Sequence, residues 1–273
     1  RLQKEVENNV TILLKPSQDA DQLEVHGRGE LQLGILVEEM RREGYELCVS
    51  PPRIVTVKDE NGKEMEPIEE VTIDVDSEFS GAVIEKMQLV RAEMGEYKEM
   101  GDRVRLVFEV ASRHLMGVRA SLANETRGTA VVNAMFIRYD HVSSQGGGVN
   151  DKGKLVSSAQ GVATSYALGL VEARGVLFVE PGQEMYEGMV IGEHSRPGDL
   201  DVNPCKAKKL TNVRASGTDE AVRLAPPRKY GVEEYITYMG TDEVLEVTPN
   251  GIRLRKRILE VGARTRAAKS GKK

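Results

Sequence analysis

At 273 residues, with 40% hydrophobic and 30% charged side chains, the chain has the make-up of a globular protein of two or three domains. No apolar run approaches the roughly 20 residues that a membrane-spanning helix needs, and two distant cysteines, Cys48 and Cys205, exclude a disulfide scaffold and point to a reducing compartment. The net charge of −5 conceals an asymmetry: residues 206–273 hold 16 Lys/Arg against 8 Asp/Glu and the rest hold 22 against 35, a basic end on an acidic body that suits an anionic polymer.

The chain opens on Arg1-Leu2-Gln3-Lys4-Glu5, with neither an initiator Met nor a signal-peptide core, so it is expected to be a fragment of a longer protein. The first stretch reads as helix, strand, helix, strand. Leu23 and Val25 alternate with polar neighbours up to the turn His26-Gly27-Arg28-Gly29. Leu33, Leu36, Val37 and Met40 then form one apolar stripe at helical spacing, with Glu30 at the dipole's positive end, Arg41 and Arg42 in the last turn and Gly44 at C′. Tyr45, Leu47 and Val49 alternate as a strand that Pro51-Pro52 stops. This is a split βαβ pattern without its first strand.

The order then returns in full. Val71, Ile73 and Val75 predict a strand, and Ser80 a cap for a helix with Val83, Met87, Val90 and Met94 on its apolar face. A strand over Val104, Leu106, Phe108 and Val110, a short helix from Leu115 to Leu122, and a strand over Val131, Asn133, Met135, Ile137 and Tyr139 follow. The expected class is α+β, with two ferredoxin-like βαββαβ domains, the first incomplete at its N-terminus. Ser143-Ser144-Gln145-Gly146-Gly147-Gly148 reads as a linker. Beyond it, Val176–Val179 and Met189–Ile191 are short apolar runs set off by turns at Pro181-Gly182 and Glu187-Gly188. A lone helix over Val232–Met239 and a hairpin, Val244–Thr248 against Ile252–Leu259, complete a mostly β domain. The domain boundaries so read are 1–65, 66–142 and 143–273.

Catalytic motifs fail their structural tests. Gly148-Val149-Asn150-Asp151-Lys152-Gly153-Lys154 matches G-x-x-x-x-G-K, but Leu155 stands where a phosphate loop needs Ser or Thr for Mg²⁺. Gly27-Arg28-Gly29 lacks the third glycine of a dinucleotide fingerprint. His194, Ser195 and Asp199 crowd one short loop, where a nucleophile, base and orienting acid do not normally align. His26, His114, His141 and His194 show no metal-ligand spacing. No catalytic, cofactor or metal site is expected in this chain.

The basic end offers binding candidates instead. Lys206, Lys208, Lys209 and Arg214 crowd one polar segment with Asn212, a composition suited to phosphate and sugar contacts; an ordinary solvated loop is the alternative. In the closing hairpin, a period of two sends Ile252, Leu254 and Ile258 to one face and Arg253, Arg255 and Arg257 to the other, spaced about 6.6–6.8 Å. Such a ladder could follow an RNA backbone, or could pair across the strands with Glu243 and Glu246. Aromatic residues are only 4% with no Trp, which argues against a reader of single strands by base stacking.

Two sets of residues resemble known families. Gly27-Arg28-Gly29-Glu30-Leu31-Gln32-Leu33 with Met40-Arg41-Arg42-Glu43-Gly44-Tyr45-Glu46-Leu47 is similar to the third domain of translocase-type GTPases such as elongation factor G. Met185-Tyr186-Glu187-Gly188, Ile191-Gly192-Glu193-His194-Ser195-Arg196 and the run Lys208 to Glu220 resemble the C-terminal domain of the BipA/TypA family. Gln32 stands where that family has His, and Lys269 to Lys273 have no clear counterpart. The resemblance implies domains III and V and the family-specific C-terminal domain of a ribosome-docking translational GTPase that supports large-subunit assembly and stress adaptation. Its partners would be rRNA, ribosomal proteins and A-site tRNA, with no membrane, as a monomer. GTP and Mg²⁺ would belong to a GTPase domain outside this chain. The implied compartment is the cytoplasm, or a chloroplast stroma or mitochondrial matrix in a eukaryote. An interaction scaffold whose basic end binds an acidic protein is the alternative function.

Overall fold

The chain begins with helix α1 (Leu2–Asn8), the antiparallel strands β1 (Leu13–Pro16) and β2 (Leu23–His26), helix α2 (Glu30–Arg42) and strand β3 (Leu47–Val49). The computed structural model describes residues 1–17, 22–142, 152–207 and 223–270. The apolar stripe winds as α2, whose Leu36 and Met40 bury against Ile12, with Leu2, Val6, Val25 and Leu47 around them. Gly44 takes the left-handed conformation (φ 94°) that closes the helix, and its N–H donates to Arg41 O. Gln32 ties the helix start to the strands: its Oε1 accepts the Arg28 N–H at 2.8 Å, and its Nε2 donates to Thr11 Oγ1 at 2.5 Å. Tyr45, expected in a strand, lies in the turn ahead of β3.

Residues Arg1–Pro51 pack with Asp151–Lys273 as one unit, and Pro52–Asn150 forms a second. The second holds β4 (Val57–Lys58), β5 (Glu64–Asp76), a 3-10 turn (Ser77–Phe79), α3 (Ser80–Leu89), β6 (Glu93–Met100), β7 (Arg103–Ala111), α4 (Ser112–Leu115), α5 (Val118–Glu125) and β8 (Val131–His141). Its strands lie antiparallel in the order β8-β5-β7-β6, the ferredoxin-like arrangement, with β4 added beside the start of β5. The alternating residues Val71, Ile73, Val75, Val104, Leu106 and Phe108 bury one face against Val83 and Met87 of α3 and Val118 and Leu122 of α5. The helix predicted through Met94 ends at Leu89. Ser80 does not cap it, because its hydroxyl donates to Ser77 O, and Met94 is an exposed residue of β6. Strand β6 escapes a pattern search because every one of its residues is exposed, so nothing alternates.

The C-terminal part of the first unit contains β9 (Lys154–Ser157), β10 (Gly161–Val162), α6 (Ser165–Glu172), β11 (Gly175–Leu177), β12 (Glu184–Met185), β13 (Val190–His194), β14 (Leu200–Val202), α7 (Val232–Tyr238), β15 (Glu243–Thr248), β16 (Gly251–Lys256) and α8 (Val261–Ser270). One sheet has the order β11-β13-β9-β14, with β14 parallel to β9; β10 and β12 form a small ribbon. The β15–β16 hairpin stops at Lys256, short of the predicted Leu259, and Ile258 and Leu259 are exposed.

Strand β3 pairs with β15, not with β1 or β2, giving the sheet β16-β15-β3. Val37, Leu47 and Val49 thereby pack on a core built from Phe178, Tyr235, Tyr238, Leu245 and Leu254. Helices α2 and α7 approach closely at Gly34, where a Cβ would come within 3.1 Å of the Glu233 Cβ. Arg41 Nη1 also donates to Pro249 O in the hairpin turn at 3.1 Å.

Gly175 shows how tightly β11 lies on β13: a Cβ there would sit 1.9 Å from the Glu193 carbonyl oxygen. Neither backbone can yield without breaking the pairing of Gly175 with His194. Gly175→Ala is therefore expected to cost about 1–3 kcal/mol or more in urea unfolding. A midpoint matching that of the unsubstituted protein would show that the β11–β13 register is not as described.

Candidate nucleic-acid interface

The hairpin β15–β16 puts its cations to different uses. In its register Glu243 faces Lys256, Val244 faces Arg255 and Glu246 faces Arg253. Arg253 and Arg255 share one face, as a period of two requires. Arg255 is committed: its Nε donates to Glu246 Oε1 at 2.5 Å, and its Nη1 to the Lys256 carbonyl at 3.2 Å. Glu246 also accepts the Tyr186 hydroxyl at 2.7 Å. Burial and that bond together push the Tyr186 pKa up. Arg257 lies past the end of β16 with an exposed side chain, and its N–H donates to Asp242 O. Among the described residues neither Arg253 nor Arg257 forms an ion pair. The expected ladder therefore holds two guanidiniums on the strand, one already engaged.

Lys256, on the opposite face, is 3% exposed. Its Nζ lies 2.5 Å from Asp199 Oδ2 and 3.0 Å from both Asp242 Oδ2 and Glu243 Oε1. Burial pulls its pKa down, but Glu243, Asp199 and Asp242 reverse that and hold it above the ordinary lysine value. Glu243, 1% exposed, accepts the Gly240 N–H with its other oxygen at 2.8 Å. Asp199 Oδ1 accepts the Lys154 N–H at 2.8 Å. Lys154 Nζ sits 3.0 Å from the centre of the Tyr238 ring and donates to Tyr238 O at 3.2 Å. Burial pushes this ammonium down to about 8, against the pull of Glu243.

Lys206 is exposed, just after β14. Its carbonyl accepts the Thr164 hydroxyl at 2.6 Å, and that hydroxyl oxygen in turn caps α6 through the Ala167 N–H. Lys206 and Arg174 line a groove of about 400 Å³ between α6 and β14, with Leu170 and Val202 on its walls. Lys208, Lys209, Asn212 and Arg214 lie outside the described residues. Sequence reasoning missed Arg174, and also Arg266 and Lys269 on α8, whose helix has no buried residue and so no apolar stripe to announce it.

The motifs set aside earlier have other partners. His194 Nδ1 is bonded to Gly198 O at 2.8 Å, Ser195 Oγ donates to Arg174 O at 2.8 Å, and Asp199 serves Lys154 and Lys256. They do not form a relay. Lys154, the lysine of the near phosphate loop, points into the core. Among the described residues no cluster of three or more His, Cys, Asp or Glu could hold a metal. Among the described residues no helix is long and apolar enough to cross a membrane.

Residues 152–261 match the family model for the TypA/BipA C-terminal domain, and residues 63–146 that for the elongation factor G C-terminus. Over 273 residues the chain is 44% identical to the large ribosomal subunit assembly factor BipA of Bacillus subtilis, covering 100% of this chain and 44% of that protein. It is 44% identical over 276 residues to the factor of the same name from Salmonella typhimurium, and 42% identical over 268 residues to that of Haemophilus influenzae. These alignments cover 100% and 98% of this chain, and 45% and 43% of the respective relatives. The chain thus spans less than half the length of the relatives it matches.

The buried charges generate two expectations. Lys256→Met strands Glu243 without its cation and should lower stability by about 3–5 kcal/mol in urea unfolding; an unchanged midpoint would mean that water already reaches the cluster. For Lys154, the folded pKa of about 8 lies below its ordinary 10.5, so the unfolded chain binds more protons between these values and stability rises with pH across that window. Lys256 acts oppositely, its contribution lasting through that window and fading only at higher pH. Lys154→Met should abolish the rise, and a Lys154→Met protein whose stability still climbs over that window would refute the assignment.

Proposed function

This chain carries the C-terminal part of the TypA/BipA family, and from that premise we propose that it is the ribosome-docking portion of a translational GTPase that assists large-subunit assembly and stress-adaptive translation. The observation that carries the reading is the identity of 42–44% to large ribosomal subunit assembly factors over 98–100% of this chain. The partners are rRNA, neighbouring ribosomal proteins and A-site tRNA. GTP and Mg²⁺ act in a GTPase domain of the parent protein, whose setting is the bacterial cytoplasm or an organelle of that ancestry.

Within that reading the chain's own work is electrostatic positioning. Lys206, Arg253 and Arg257 present cations without an ion pair among the described residues, and contact phosphate oxygens. Lys208, Lys209, Asn212 and Arg214 extend this set. Arg255, clamped by Glu246, holds the hairpin face that presents Arg253.

Ribosome co-sedimentation across several salt concentrations tests this. Changing Lys206, Arg253 or Arg257 to Gln should lower the slope of log K against log salt by about 0.7–0.9 for each phosphate no longer neutralised. A slope unchanged in all three would remove them from the interface. Ribonuclease treatment should abolish binding; binding that survives it favours an acidic-protein partner. Titration calorimetry of this chain with GTP should show no binding, since Leu155 leaves no Mg²⁺ hydroxyl and Lys154 is buried. A stoichiometric micromolar isotherm would overturn that.

A further inference from the structure

The sheet of the second unit has two free edges of different make-up. Strand β6 carries Glu93, Glu96, Lys98 and Glu99, the kind of charge that keeps an edge from pairing with other chains. Strand β8 lacks this protection over its first seven residues, its charges, Arg138 and Asp140, coming only near its end. Val131-Val132-Asn133-Ala134-Met135-Phe136-Ile137 holds no charge and no proline. Its inner edge pairs with β5, and no strand lies on its outer edge among the described residues. Met135 is 63% and Phe136 52% exposed, and the Phe136 and Tyr139 rings sit 5.0 Å apart. The one irregularity, opposite Ile68 and Glu69, falls at the end of the run and leaves Val131 to Phe136 regular. A long uncharged edge with high β-propensity is a template for a further strand.

The surroundings choose the occupant. Residues 52–150 carry 17 Asp/Glu against 12 Lys/Arg. On β5 beside β8, Glu66 is buried against Arg113, while the half-buried Glu69 and Glu70 lie opposite Phe136 and Met135. A second copy of this chain would bring the same excess of carboxylates to the contact. We propose that the free edge of β8 accepts an extended, basic protein segment by strand addition. Main-chain bonds to the edge supply affinity; apolar residues of the segment, alternating with Lys or Arg, cover Met135 and Phe136. The proposal stands apart from ribosome docking through the basic residues of the C-terminal domain, and either can fail without the other.

The test uses the whole chain and fluorescein-labelled peptides of alternating Lys and Val, of alternating Glu and Val, and of Lys-Val with proline at every second Val. Fluorescence anisotropy should show the Lys-Val peptide binding at least about tenfold more tightly than either control. The double variant Asn133→Lys/Met135→Lys, altered only at exposed side chains, should weaken that binding by about tenfold or more while its melting temperature holds. Equal affinity for the proline peptide, equal binding by the variant, or no binding of the Lys-Val peptide overturns the proposal. Sedimentation that finds a dimer, dissolved by the same variant in the absence of peptide binding, would assign the edge to a second copy and overturn it as well. If the variant melts early, Asn133→Asp/Met135→Glu supplies the second reading: it must retain the Lys-Val peptide, and loss of binding there counts against the proposal.

Discussion

A single ammonium group, Lys256 Nζ, sets conditions that much of the first unit has to meet. Its three carboxylates come from the loop before β14, the turn before β15 and β15 itself. Through Asp199 and the backbone of α7, Lys154 adds β9 and Tyr238 to the same assembly. Leaving one member of such a set buried and unpaired costs several kcal/mol. A one-residue slip of the hairpin would turn Lys256 outward and bring an arginine in without its acids. The cluster therefore fixes which face of β16 meets solvent, and with it the exposure of Arg253.

That has a bearing on charge as a guide to partners. Counting residues makes the C-terminal segment strongly basic, yet Arg255, Lys256 and Arg264 each have carboxylate partners inside the fold. Among the described residues of that segment, what remains for an external anion is a smaller set on separate elements: Lys206 after β14, Arg223 ahead of α7, Arg253 on β16, Arg257 beyond it and Lys269 on α8. Net charge measures the long-range field that draws a polyanion in. Local pairing decides which side chains can grip it.

The sequence exposed those parts of the fold whose period is enforced by burial on one face. The α2 stripe, the alternating strands β5 and β7, helix α7 and the hairpin were all legible for that reason. Strand β6 was not, being exposed on both faces, and α8 was not, having no buried face at all. The β3–β15 pairing was invisible for another cause: three residues carry no signature of a partner far away in the chain. Of the candidate site, the alternation of Arg253 and Arg255 was readable. The burial of Lys256 was not, because a lysine among arginines looks like one more surface cation until three distant acids are placed around it. Parity was the available clue, since Lys256 falls on the same side as Ile252 and Leu254.

The same β3–β15 pairing has a consequence for how the chain acquires its structure. Strand β3 leaves the site of synthesis early, but Leu245 and Val247, its partners, emerge only after the whole second unit has been made. Contacts that close so long a loop form late and slowly. The second unit, with all its strand pairing internal, can condense first, while Leu47 and Val49 wait with their apolar sides uncovered. Nascent chains of this protein thus pass through a stage in which a finished domain is flanked by an unpaired strand, the interval in which a chaperone or a wrong partner has its chance.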